Sequence, residues 1–191
     1  MSPNHTEAPS FEIVILSLDL AENCIGNLAC YSAGWKVENS QRQLINNNDF
    51  WKRANGNFLD MATIEWCKLF LDKNKNKSDF AECNWKNIFK NHDEWRSDLL
   101  TNMSISLGDF EKAGKSILDY RNKYLAHRER SSKDLFYPRT DFMLQSTLHL
   151  HKMLQTCCEV TIHSGQITIE KHYDYWLNEA RNEILRSVIG K

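Results

Sequence analysis

The chain has little that would mark a membrane or secreted protein. No segment is read as holding the roughly 20 apolar residues that a helix needs to cross a bilayer. The opening MSPNHTEAPS carries neither a basic leader nor an apolar stretch. The expectation is therefore a soluble, cytoplasmic protein with no membrane partner. Among the six cysteines (Cys24, Cys30, Cys67, Cys83, Cys157 and Cys158) there is no Cys-x-x-Cys pair. Cys157 and Cys158 are adjacent and point about 100° apart on a helix, which makes a poor chelate. His149 and His151 lie about 200° apart and face opposite ways. A metal site is thus not expected, and buried, reduced thiols are the simpler reading for a chain large enough to have its own core. A glycine-rich phosphate loop, a His-Glu-x-x-His helix and a nucleophile elbow are also lacking, which removes the commonest phosphate-loop, zinc-protease and serine-hydrolase chemistries. No cofactor is expected.

No internal repeat and no strand series capable of making a sheet can be read. What is there is helical. At 191 residues the chain suits one domain, with residues 1–10 a flexible N-terminus and residues 11–191 a single helical domain. Six tryptophans point to an aromatic core. Val14, Leu18, Ala21, Ile25 and Leu28 recur every three or four residues and predict a helix from Phe11 to a stop at Gly34. Asp49 is read as the N-cap of a second helix whose stripe holds Phe50, Trp51, Ala54, Phe58, Met61, Ala62, Trp66 and Leu69, packed antiparallel to the first. The polar run DKNKNKSD, from Asp72 to Asp79, reads as a solvated loop. Short helices are expected over 81–90 and 92–103, and a longer one from Gly108 to about Arg130. Pro138 ends the exit from that helix, with Thr140 or Asp141 as the next cap. A stripe from Met143 to Cys157 follows, QITIE reads as briefly extended, and a last helix spans 173–188. The fold class is an all-α antiparallel bundle with extra short helices.

The helix ILDYRNKYLAHRE, Ile117 to Glu129, carries an anomaly. At about 100° per residue, Phe110, Ala113 and Tyr124 share the core face with Ile117, and Arg121 falls inside it at roughly +40°. A buried guanidinium needs an acidic neighbour, a stacked aromatic, a subunit interface or an anionic ligand. Asp119 and Glu129 are the nearby acids. His127 sits at the rim near Tyr120, with the ordinary pKa range for proton transfer near neutrality. About 120° separates Arg121 from His127 on a regular helix, which is awkward for one site within one chain, whereas a dimer axis would bring two pairs together. Whole-chain charge is only −1, yet Lys112 to Arg139 holds eight basic residues against three acidic ones, a local excess suited to phosphates or to a solvated helix end. Glu94-Trp95-Arg96 and the Trp51/Trp66 pair are weaker candidates for a ligand pocket, with core packing the stronger reading. His92, His163 and His172 read as loop or helix-end residues.

The run YRNKYLAHRE resembles the signature of the HEPN superfamily, particularly its abortive-infection and toxin branches, in which Arg and a polar residue precede His by four to six positions within a helical bundle. Arg121, Asn122 and His127 match that pattern, and the likeness extends loosely over residues 49–158. The resemblance implies a metal-independent endoribonuclease, active in defence or toxin–antitoxin biology, with a composite site at a homodimer interface. His127 would exchange the proton of the RNA 2′-hydroxyl, Arg121 would clamp phosphate oxygens and Asn122 would orient the reacting groups. Lys123, Arg128 and Arg130 would bind RNA. An antitoxin or nucleotidyltransferase partner is implied, although Glu129 stands where some relatives carry a modifiable tyrosine. The alternative is a noncatalytic helical dimerisation or nucleotide- or RNA-binding module.

Overall fold

The computed structural model describes residues 10–35, 48–72, 81–126, 137–157 and 168–189. His127, Arg128 and Arg130 of the predicted site lie outside the described residues, as do the proposed flexible start at 1–9, Cys158, His163 and Gly165. Every described element is helical. In chain order they are α1 (Phe11–Trp35), α2 (Asp49–Phe70), a 3-10 turn (Ala81–Cys83), α3 (Trp85–Ile88), α4 (His92–Met103), α5 (Leu107–Tyr120), a π-helical segment (Arg121–Ala126), α6 (Thr140–Cys157) and α7 (Ile169–Ile189).

Helix α1 is the hub. Its predicted stripe of Val14, Leu18, Ala21, Ile25 and Leu28 is fully buried, and its faces meet α2, α6 and α7. It runs antiparallel to α2: Cys24 approaches the Ala62 carbonyl at 3.5 Å, while Gly34, ten residues on, meets Asn55. Trp66 of α2 anchors the main core. Its ring stacks on Phe70 at 4.8 Å, and its indole N–H donates to Ser146 Oγ of α6 at 2.9 Å, so the one polar atom of a fully buried side chain is satisfied. Trp51 belongs elsewhere: it donates to Ser187 of α7 at 2.6 Å, so Trp51 and Trp66 do not form a shared pocket.

Several boundaries differ from the sequence reading for identifiable reasons. The α2 cap is Asn48, whose extended backbone lets its side chain accept from the amides of Phe50 and Trp51, and Asp49 is already helical. Phe50 and Met61 of the predicted α2 stripe are exposed. Helix α5 begins at Leu107 because Ser106 caps it, accepting from the Asp109 amide. Ile169 and Glu170 lie within α7, so the last two residues of QITIE are helical rather than extended. One further expectation is corrected. The stretch Phe11–Gly34 spans 24 residues at a mean hydropathy of 1.5, long and apolar enough by length and composition to cross a membrane, with more than half of that window buried against the rest of the fold.

Gly34 does not stop α1; the helix continues to Trp35. Its role is contact. A Cβ at this position would come 2.5 Å from Oδ1 and 2.9 Å from Cγ of Asn55, itself buried. Gly34→Ala should therefore push α1 and α2 apart and cost about 1 to 3 kcal/mol, as overpacked positions do. Urea denaturation would read this as a lower midpoint at unchanged slope. A stability equal to the parent would mean that Asn55 swings aside freely.

Candidate functional site around Arg121

The regular winding of α5 ends at Tyr120, and the π-helical turn begins at Arg121. Two successive side chains pin this junction to α2. Tyr120, buried, donates its hydroxyl to Asp60 Oδ1 at 2.8 Å. Arg121 reaches Asp72, just beyond the C-terminus of α2, and its Nη1 lies 2.7 Å from both carboxylate oxygens. Arg121 Nε also donates to Asn122 Oδ1 at 3.3 Å.

The Arg121 and Asp72 side chains are 24% and 22% exposed, so the pair sits between a surface bridge and a buried one. Burial works against the charged guanidinium, but hydrogen bonding to Asp72 and the neighbouring Cys67 outweigh it and hold its pKa above the ordinary value. The Cys67 thiol is pushed up to about 12, chiefly by burial, with Arg121 opposing the shift, which leaves it a poor nucleophile near neutrality. Burial is also the main cause raising Tyr120, with the Asp60 bond adding to it. Chemically, the junction presents a cation already fitted to an oxyanion.

Arg121 thus meets the requirement for an acidic neighbour, but the partner is Asp72. Asp119, one of the two acids suggested by the sequence, is exposed, and Glu129 lies outside the described residues. Asp72 opens the polar run that reads as a solvated loop, and such a run conceals which of its members folds back. Of the predicted RNA-binding residues, Lys123 is exposed, as is Asn122. Arg139 is not free for phosphate: it pairs with Asp141 at 2.8 Å. The structure brings Arg121 and Asn122 together through their side chains, and His127 lies outside the described residues.

No known protein family, curated protein or solved structure matches this chain.

Other ionisable groups are buried away from this junction. His149 and His151 face opposite sides of α6, as their spacing predicts. His149 lies 3.3 Å from Asp98 of α4, and His151 lies 3.3 Å from Glu22 of α1. Hydrogen bonding to His151 is the leading cause holding Glu22 below the usual carboxylate range. Among the described residues, no group of three or more His, Cys, Asp or Glu side chains is arranged to hold a metal. Sequence reasoning missed Glu65, which is buried between α2 and α1, accepts from Asn27 Nδ2 at 3.2 Å and has its carboxyl pushed up to about 7 by desolvation. Its place one residue before Trp66, beside the α2 stripe, was the available signal.

Proposed function

We propose that the chain is a HEPN-type, metal-independent endoribonuclease of the cytoplasm, serving defence or toxin–antitoxin biology through a composite site at a homodimer interface. Arg121, Asn122 and His127 are its reacting set, with Lys123, Arg128 and Arg130 holding RNA. The observation that supports this reading is the fit of the Asp72 carboxylate against Arg121: a planar guanidinium, held at a change of helical winding, already accommodates two anionic oxygens. π-Helical turns are frequent at functional sites, where they redirect side chains at the expense of regular hydrogen bonding. RNA supplies its own nucleophile, the 2′-hydroxyl. His127 takes that proton as the 2′-oxygen bonds to phosphorus, Arg121 stabilises the negative charge gathering on the phosphate oxygens, and the P–O5′ bond breaks as the proton is passed on to the departing 5′-oxygen, leaving a 2′,3′-cyclic phosphate and a 5′-hydroxyl.

A second reading is favoured by the same contact. If Asp72 is a permanent partner, Arg121 is a structural cation and the chain is a noncatalytic helical dimerisation or RNA-binding module. Purified protein incubated with transfer and messenger RNA in chelator separates the two. The ribonuclease reading expects strand scission with cyclic-phosphate ends, unaffected by chelation. Intact RNA over a range of protein concentrations that includes the dimer would leave the binding module as the better account.

A further inference from the structure

The chain enters α6 through the pair Tyr137-Pro138. A proline confines the residue before it to extended backbone, so the tyrosine is presented in one local conformation. Pro138 is buried, which ties that backbone to the fold, whereas Tyr137 is 62% exposed. Its ring leans on that of Tyr120, with centroids 6.5 Å apart and planes inclined at 38°, within the range of aromatic pairs. Tyr120 is itself fixed, being buried and bonded through its hydroxyl to Asp60 at 2.8 Å. Tyr31 of α1 joins the group, its pKa raised by burial and, after that, by the nearness of Tyr137. An exposed ring is thus backed by a rigid one.

Other aromatic side chains are exposed, among them Phe11 on α1, Phe50 on α2, and Tyr175 and Trp176 on α7. Tyr137 differs from them by its place. Tyr120, which supports it, is the residue before Arg121, and the two side chains diverge along α2, one to Asp60 and the other to Asp72. Those anchors lie 72 − 60 = 12 residues apart, about 18 Å at the helical rise. Exposed Lys123, two residues after Arg121, adds a cation on the same turn. At the roughly 3.4 Å spacing of a stacked strand, that distance corresponds to about five nucleotides, and an extended strand covers it in fewer.

We propose that Tyr137 is a stacking platform for one unpaired base of the RNA, about two to five nucleotides from the phosphate bound at Arg121. The placement rests on the ribonuclease reading of Arg121. Every base has a flat face, so an exposed ring accepts any of them once the strand is single, whereas the bases of a duplex are already stacked on one another. A ring held in place beforehand loses little freedom on binding. Stacking uses the ring and not the phenol hydroxyl, which makes phenylalanine an adequate substitute and alanine an inadequate one.

The test uses the full chain and a short single-stranded RNA carrying 2′-O-methyl groups throughout, which lacks the attacking hydroxyl, so that fluorescence anisotropy reads binding apart from cleavage. Tyr137→Ala should weaken binding by about five- to a hundredfold, the loss typical of a stacking aromatic. Tyr137→Phe and Tyr137→Trp should retain it, with thermal unfolding near the parent in all three. Replacing one base at a time by an abasic unit should reveal a position that matters to the parent and not to Tyr137→Ala. Parent-level affinity in Tyr137→Ala, a loss that Tyr137→Phe does not rescue, or a change in self-association at unchanged RNA affinity would overturn the proposal, the last by marking Tyr137 as a protein contact. The two readings fail separately. Tyr137-dependent binding beside natural RNA that stays intact would end the ribonuclease reading and keep the platform, while cleavage by a chain in which Tyr137→Ala alters neither affinity nor rate would do the reverse.

Discussion

His127→Ala should lower RNA cleavage by about 10² to 10⁴, the usual loss when a positioned acid or base is removed, while folding and most RNA affinity persist. Arg121→Ala should reduce both cleavage and phosphate binding, and Arg121→Lys should restore only part of either, because a single ammonium cannot offer phosphate the planar, multi-donor guanidinium. A structural ion pair makes a different forecast. Removing either partner of a half-buried pair should cost about 1 to 3 kcal/mol, between the surface and buried limits, and Asp72→Asn should then resemble Arg121→Ala in stability. If the chain is the ribonuclease proposed, Asp72→Asn releases the guanidinium from its internal oxyanion, so phosphate affinity and cleavage should hold or rise even as stability falls. Mixed dimers sharpen the comparison. A subunit bearing Arg121→Ala and a partner bearing His127→Ala retain one intact Arg121 and one intact His127, which a composite site can reunite across the axis. Unchanged cleavage by both single-variant homodimers would reject the site assignment. A chain that sediments only as a monomer at high concentration would remove the composite site.

Glu65→Gln should make the protein more stable than the parent above pH 7 by an amount on the order of 3 kcal/mol and leave it nearly unchanged below pH 4.5. Burial raises the Glu65 carboxyl from 4.5 to about 7 in the folded chain, so the native state holds this proton more tightly than the unfolded one. The corresponding stability is fully present below the unfolded value and is lost as pH rises through the folded one. Glutamine preserves the shape and the oxygen that accepts from Asn27, but has no proton to lose. Denaturant titrations at several pH values would show the difference between parent and variant opening between about pH 4.5 and 7. Four described groups slope the other way in both proteins: Glu22, Asp141, Glu170 and His149. Glu22, lowered chiefly by its His151 bond, and His149, lowered chiefly by desolvation, each contribute stability that is lost as pH falls. The difference curve cancels them. A parallel pair of curves would show that Glu65 ionises in the fold as it does in water.

The periodicity of the chain carried much of the fold. Stripes in α1 and α6 are local consequences of side chains repeating at the helical spacing, and Val14 through Leu28 are buried where that spacing places them. Caps were less legible. Asn48 and Asp49 each carry a side-chain oxygen able to cap the helix, and backbone geometry chooses between them. Gly34 shows the converse ambiguity: a glycine that reads as a stop is a point of contact, because a missing Cβ serves a close crossing as well as a helix end.

The sequence by itself determined the all-helical class, the need of Arg121 for a partner and the opposed faces of His149 and His151. Each follows from a repeat or a desolvation cost that acts within one helix. Tertiary structure decided that the partner is Asp72, 49 residues away. It also decided that Glu65 is buried beside Asn27 and that Trp95 lines a cleft with carboxylates at its rim. Those facts depend on how separate helices cross, and a crossing is set by the packing of whole faces, which no single stretch of sequence contains.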